Sequence, residues 1–154
     1  MEEAPLISKD YIPLTVVYDI VKPDIKSGYT YYFKTDSGLT YQVTFGRKKR
    51  NYLENIINFS VISDEFEDEY SETNKGEAWR IISTMTEIVR IYHSQHPFSH
   101  SYEFSGEFKE RGEKQGSSIR TRLFLRTIMR VLDFRFWEVR LEANKVTVVR
   151  KTKG

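Results

Sequence analysis

Three stretches decide the fold: TNKGEAWRIISTMTEIVRIYHSQHP (residues 73–97), SYEFSG (101–106) and IRTRLFLRTIMRVLD (119–133). In the first, Ala78, Ile81, Ile82, Met85, Ile88, Val89 and Tyr92 recur at three- and four-residue spacing, which gathers them on one helical face. The spacing predicts a helix from about Gly76 to Ser94. Thr73 or Asn74 can cap it, Glu77 suits its positive pole, His93 and His96 suit its negative pole, and Pro97 stops it. Trp79 falls at the margin of the apolar face, while Arg80, Thr84 and Glu87 share its polar side. The second stretch alternates as a strand over residues 99–105, and 106–116 read as a charged, glycine-containing loop. A second helix starts at Ser117 or Ser118 and runs to about Asp133. Its core face is Phe124, Leu125, Ile128, Val131 and Leu132, and Arg122, Arg126 and Arg130 lie at four-residue intervals on the other side.

Residues 1–12 read as an N-terminal arm with little pattern. Leu14 to Val21 is β-branched and aromatic, as a strand requires. Tyr29–Lys34 and Leu39–Phe45 form a hairpin around Asp36-Ser37-Gly38, where glycine supplies the positive φ of the turn. The basic turn Arg47-Lys48-Lys49-Arg50 leads to a fourth strand over Ile56–Ile62, although Tyr52–Ile57 could begin as a helical turn. Phe134–Leu141 and Val146–Lys151 make a closing hairpin. The expected fold is α+β: a mainly antiparallel sheet of five to seven strands with two helices on one face, in the order ββββ-α-β-α-ββ. One domain spans 13–151, and 152–154 form a basic tail. The core should contain Tyr31, Phe33, Tyr41, Val43, Ile81, Met85, Ile88, Phe104, Phe124, Ile128 and Trp137.

The 154 residues are enough to bury about two thirds of the unfolded surface. With 39% hydrophobic and 30% charged residues the composition is that of a globular domain, and no apolar run approaches the roughly 18 residues of a membrane span. The absence of cysteine excludes disulfides, thiolate metal sites and cysteine nucleophiles, and fits a cytoplasmic location. Most of the ten Tyr, ten Phe and two Trp are assigned to the core. The net charge of +2 conceals opposed patches: residues 64–72 hold six acids and no base, whereas Arg47–Arg50 and the chain end are basic.

The order Thr73-x-x-Gly76-Glu77-Ala78-x-Arg80-Ile81-x-x-Thr84, then Tyr102-x-Phe104-Ser105-Gly106, then Arg120-x-Arg122-Leu123-Phe124 and Arg126, resembles a broad group of small uncharacterised proteins from bacteria and their phages. The hairpin Tyr31 to Phe45 is similar to the N-terminal hairpin of that group. The resemblance implies the architecture and assigns no activity.

His93, His96 and His100 have a spacing that zinc or nickel can use, but Pro97 separates them, and dipole compensation accounts for them without a metal. Glu107-Phe108-Lys109 resembles the acid-x-Lys element of metal-dependent nucleases, yet its upstream acid (Asp64 or Glu103) is unassigned, so a solvated loop is preferred. The acidic stretch lacks the alternation and central Gly of a calcium loop. No phosphate loop, dinucleotide fingerprint or nucleophile elbow is present, and no cofactor is implied. What remains is recognition. The expectation is a non-catalytic interaction or accessory module, antitoxin-like, immunity-like or phage-related, with a protein partner or self-association. Trp79, Arg122, Arg126 and Arg130, with Asp64, Glu65, Glu67, Asp68 and Glu69, are the candidate contacts. The alternative is a nucleic-acid-binding protein or weak nuclease using the arginine row and the Arg47–Arg50 turn. Arg120, at the edge of the second helix's core face, is expected to be structural, with its guanidinium paired.

Overall fold

The computed structural model describes residues 5–8, 16–25, 28–61, 75–105, 119–142 and 145–151. Strands β1 (Ile20–Val21), β2 (Thr30–Lys34), β3 (Thr40–Lys48) and β4 (Asn51–Val61) come first. They are followed by α1 (Lys75–Gln95), β5 (Ser101–Ser105), α2 (Ile119–Val131), β6 (Trp137–Glu142) and β7 (Lys145–Arg150). The expected element order is therefore the observed one. The strands form one sheet in the order β1-β2-β3-β4-β5-β7-β6. Every pairing is antiparallel except β4 with β5, which α1 links as a crossover.

Strand alternation sorts the side chains. Tyr31 and Phe33, Tyr41, Val43 and Phe45, Ile57 and Phe59, Tyr102 and Phe104, and Val146 and Val148 all point to one buried face. Tyr92 of α1 stacks on Phe45 with centroids 3.9 Å apart, and Phe124 of α2 lies 4.6 Å from Phe104. Both helices thus cover the same face. Every residue expected in the core is buried. A line of ring contacts crosses the sheet from Tyr18 through Phe33, Tyr41, Phe59 and Phe104 to Phe124, which is where much of the aromatic content goes. The side chains of the opposite face are mostly polar and partly exposed, which an antiparallel sheet tolerates. On it Lys48 Nζ sits 3.0 Å from Glu103 Oε1 and 3.8 Å from Glu54 Oε1.

Several boundaries differ from expectation for identifiable reasons. Of the expected first strand, Leu14 and Thr15 lie outside the described residues, and the rest shrinks to Ile20–Val21 because Val16 and Tyr18 bond to α1 instead of the sheet. Tyr18 N donates to Thr84 Oγ1 (3.0 Å), and Arg80 Nε donates to Val16 O (2.6 Å). Thr84 is consequently buried rather than on a polar side. β4 begins at Asn51 because Lys48 pairs with Asn51 across a two-residue turn, Lys49-Arg50, which lengthens both strands and leaves no helical turn at Tyr52–Ile57. β6 starts only at Trp137, since Asp133 O accepts from the N–H of both Phe136 and Trp137 and holds residues 134–136 in a turn. Gly38 has φ 96°, as the β2–β3 turn demands.

Residues 5–8, within the stretch expected to be an arm with little pattern, are built into the domain. Leu6 and Ile7 are buried, Ile7 bridges Leu132, Ser8 N donates to Val131 O (2.8 Å) and Asp133 N donates to Leu6 O (2.9 Å). Trp137 Nε1 donates to Pro5 O (3.0 Å).

Candidate functional site

On the outside of the helix layer, α2 presents Arg122, Arg126 and Arg130, all exposed, as one stripe of the helix. The guanidinium carbon of Arg126 lies 5.8 Å from the centroid of the Trp79 ring on α1. The half-buried indole and this arginine span the seam between the helices, a cation–π pair at the surface. Met129 is 51% exposed beside the stripe. The structure therefore brings Trp79 together with Arg126 and leaves Arg130 outward. Asp64, Glu65, Glu67, Asp68 and Glu69 lie outside the described residues, as do Glu107-Phe108-Lys109 and the side chain of Arg120.

The three histidines separate. His93 is buried, with Nδ1 2.6 Å from the Tyr102 hydroxyl and its ring edge-on to Trp137. It belongs to the core, not to a solvated helix end. His96 stacks on Tyr92 at 4.0 Å, and its Nδ1 lies 3.0 Å from Tyr92 O, so that nitrogen must be the donor. Its Nε2 is buried and has no hydrogen-bond partner among the described residues. His100 sits where the strands begin: its N–H donates to Leu53 O (2.7 Å) and its carbonyl accepts from Arg150 N (2.9 Å). No group of metal-ligating side chains is gathered among the described residues.

Beneath the end of α1 lies a polar network that sequence reasoning missed. The Tyr92 hydroxyl donates to Asn55 Oδ1 (3.0 Å), and Asn55 Nδ2 donates to Ser101 O (3.2 Å). Burial pushes the Tyr31, Tyr92 and Tyr102 phenols above their ordinary value of 10.0, with Arg47 opposing the shift at Tyr92 by a hydrogen bond. The linkage has a definite sign. A phenol raised in the fold stays neutral where the unfolded chain ionises, so its stabilisation is complete below pH 10.0 and is lost as pH rises through the folded values. Urea midpoints should therefore fall steadily above pH 10.0. In the same titration, Tyr31, Tyr92 and Tyr102 should develop phenolate absorbance at higher pH than an ordinary tyrosine, Tyr102 last. Phenolate appearing in all ten tyrosines at the ordinary value of 10.0 would contradict this network.

A further feature is an open depression of about 420 Å3 between β1, β2 and the start of α1, lined by Tyr18, Tyr32, Lys34, Asp36 and Arg80 among others. Arg80 is already engaged there: Nη1 is 2.9 Å from Asp36 Oδ2 and the guanidinium packs 3.9 Å from the Tyr18 centroid. Its role is to tether Val16–Tyr18 to the helix. Nothing in the local pattern of residues 75–80 pointed to a partner some sixty positions upstream.

Compared with protein-family models, curated proteins and solved structures, the chain finds no match in any of the three. No helix among the described residues is long and apolar enough to cross a membrane.

Proposed function

We propose that the protein is a non-catalytic interaction module that docks an acidic protein partner on the outer face of its helix layer. The observation that carries this reading is the Arg126–Trp79 pair at the α1–α2 seam, in line with the exposed Arg130. Trp and Arg are the side chains that most often dominate binding energy at protein interfaces. A ring held against a guanidinium is pre-ordered, so less rotamer freedom is lost on docking. The row of cations selects an acidic surface and speeds encounter with it. A cytoplasmic location, consistent with a cysteine-free chain, belongs to the same reading.

The test is affinity capture on immobilised protein after nuclease treatment, comparing wild type with Trp79→Ala and Arg126→Glu. A partner retained by wild type should bind each variant at least about 30-fold more weakly, the loss expected at a hot spot. Both variants should keep the wild-type melting temperature within a few degrees, because neither side chain is in the core. If the same proteins are captured equally by wild type and by Arg126→Glu, this reading is lost.

A further inference from the structure

We infer a second, separate surface, at the end of the sheet where β4 and β5 begin, that binds single-stranded nucleic acid. It goes beyond the helix-face reading and uses none of its residues. Strand directions bring several segments to this end: the β3–β4 turn, the starts of β2, β5 and β6, and the end of β7. The C-termini of both helices lead to it as well, since α1 runs into β5 and α2 into β6.

A continuous path of contacts crosses this end. At one side Arg47 packs over the Tyr29 ring, 5.3 Å from its centroid. The hairpin tip Lys49-Arg50 follows, with both side chains exposed. Leu53 of β4 is then tied to His100, and His100 to Arg150, by backbone hydrogen bonds. Lys151 closes the path, with its N–H donating to Phe136 O and its Nζ to Phe134 O at 2.7 Å. From β3 to β6 this covers four inter-strand spacings, about 19 Å.

The charge on this path is one-sided. Of the acids at this end, Glu54 lies beside Lys48, Asp133 accepts from Arg135 Nε and Nη2, and Glu138 pairs with Arg140, while Asp24 is exposed on the β1–β2 connection, outside the span from β3 to β6. Arg47, Lys49, Arg50, Arg150 and Lys151 carry no carboxylate partner among the described residues, a strong local excess in a chain whose net charge is only +2. Helix C-termini favour nearby cations within their last turn, which accounts for part of this excess. They give no reason for the exposed rings among the cations. Tyr29 is 43% exposed, Phe98 41% and Phe134 40%, and Arg135 packs over the half-buried Phe136 at 5.2 Å. Phe98 and Phe134 lie on the two helix-to-strand connections, which the His100–Arg150 and Lys151–Phe134 bonds join. Cations that follow a backbone, alternating with rings on which bases can stack, are what single strands require. A duplex hides its base faces and would use only the charges.

The experiment measures fluorescence anisotropy of a labelled oligothymidylate of about 16 nucleotides, against a duplex of equal length, over a range of salt. The single strand should bind more tightly than the duplex, with log K falling linearly in log salt by about 0.7 for each phosphate neutralised. Phe98→Ala and Phe134→Ala should each weaken binding roughly 5- to 150-fold, the range seen for loss of one stacking ring. Phe98→Tyr and Phe134→Trp should restore it, which separates stacking from any loss of folding. Lys49→Ala with Arg50→Ala should flatten the salt slope by about 1.4, twice the single-strand value per phosphate. Arg126→Glu should leave binding unchanged. Absence of binding at low salt overturns the proposal. So does equal affinity for the duplex with the ring variants unaffected, and so does polyglutamate competing as well as the oligonucleotide, which would make the surface one for acidic protein.

Discussion

Replacing Trp137 with alanine is expected to destabilise the protein by about 3–5 kcal/mol, the usual cost of emptying a large buried aromatic site. In a chain of this size that lowers the melting temperature by roughly 6–20 °C. Trp137 is 0% exposed although it opens β6, which lies at the edge of the sheet. Its ring is edge-on to His93, with centroids 5.4 Å apart and planes at 83°, and lies 6.2 Å from Tyr102. Its indole N–H also holds Pro5 O, and with it the segment whose Leu6 and Ile7 seal the end of α2. The loss is therefore of packing and of an anchor together. Trp137→Phe should fall between wild type and Trp137→Ala: it keeps a ring but leaves the Pro5 carbonyl without its donor, about 1 kcal/mol. Proteolysis near the N-terminus should rise in the alanine variant before global unfolding. A Trp137→Ala protein within about 1 kcal/mol of wild type would mean that the site collapses around the missing ring and that the anchor contributes little.

Asn55→Leu is the second large effect, expected at about 2–4 kcal/mol, because it leaves buried polar groups without partners while changing little volume. Asn55 is 1% exposed, in the strand that makes the single parallel pairing of the sheet. It joins three elements: Oδ1 accepts from Tyr92 of α1, and Nδ2 donates across to Ser101 of β5. Removing it takes away the acceptor of the Tyr92 hydroxyl and leaves that buried group with the Arg47 guanidinium alone among the described residues. Tyr92→Phe in the Asn55→Leu background should accordingly recover stability, giving a coupling of about 1–3 kcal/mol in a double-mutant cycle measured by urea unfolding. Additive losses would show that the two side chains do not act as a pair.

The architecture was legible because it rests on local periodicity. The three- and four-residue recurrence from Ile81 to Tyr92 and from Phe124 to Val131 fixes two helices with one apolar stripe each, and both stripes pack into the core, Leu125 only partly buried. Alternation in Tyr31–Phe33 and Tyr41–Phe45 fixes which side of the hairpin faces them. Asp36-Ser37-Gly38 fixes the turn, through the one backbone conformation that glycine takes easily. The arginine stripe was legible for the same reason, since four-residue spacing alone places Arg122, Arg126 and Arg130 together.

What tertiary structure decided are the contacts between residues far apart in the chain, which periodicity does not encode. Sequence accounted for His93 by its place in the last turn of α1 alone, yet Tyr102 and Trp137 converge on it from β5 and β6 and make it core. Thr84 looked like a surface residue until the backbone of Tyr18 supplied a buried donor for its hydroxyl. The residues before Ile20 carry a strand's composition, but Arg80 and Thr84 bind their backbone to α1 and so remove them from the sheet. Sequence separates Arg47 from Arg150 by about a hundred positions; the strand order places both on one end of the sheet, where their charges add. Hydrophobic pattern chose the layers, because burial acts on every residue by type. The sites depend on a few specific long-range bonds, and those exist only once the layers are in place.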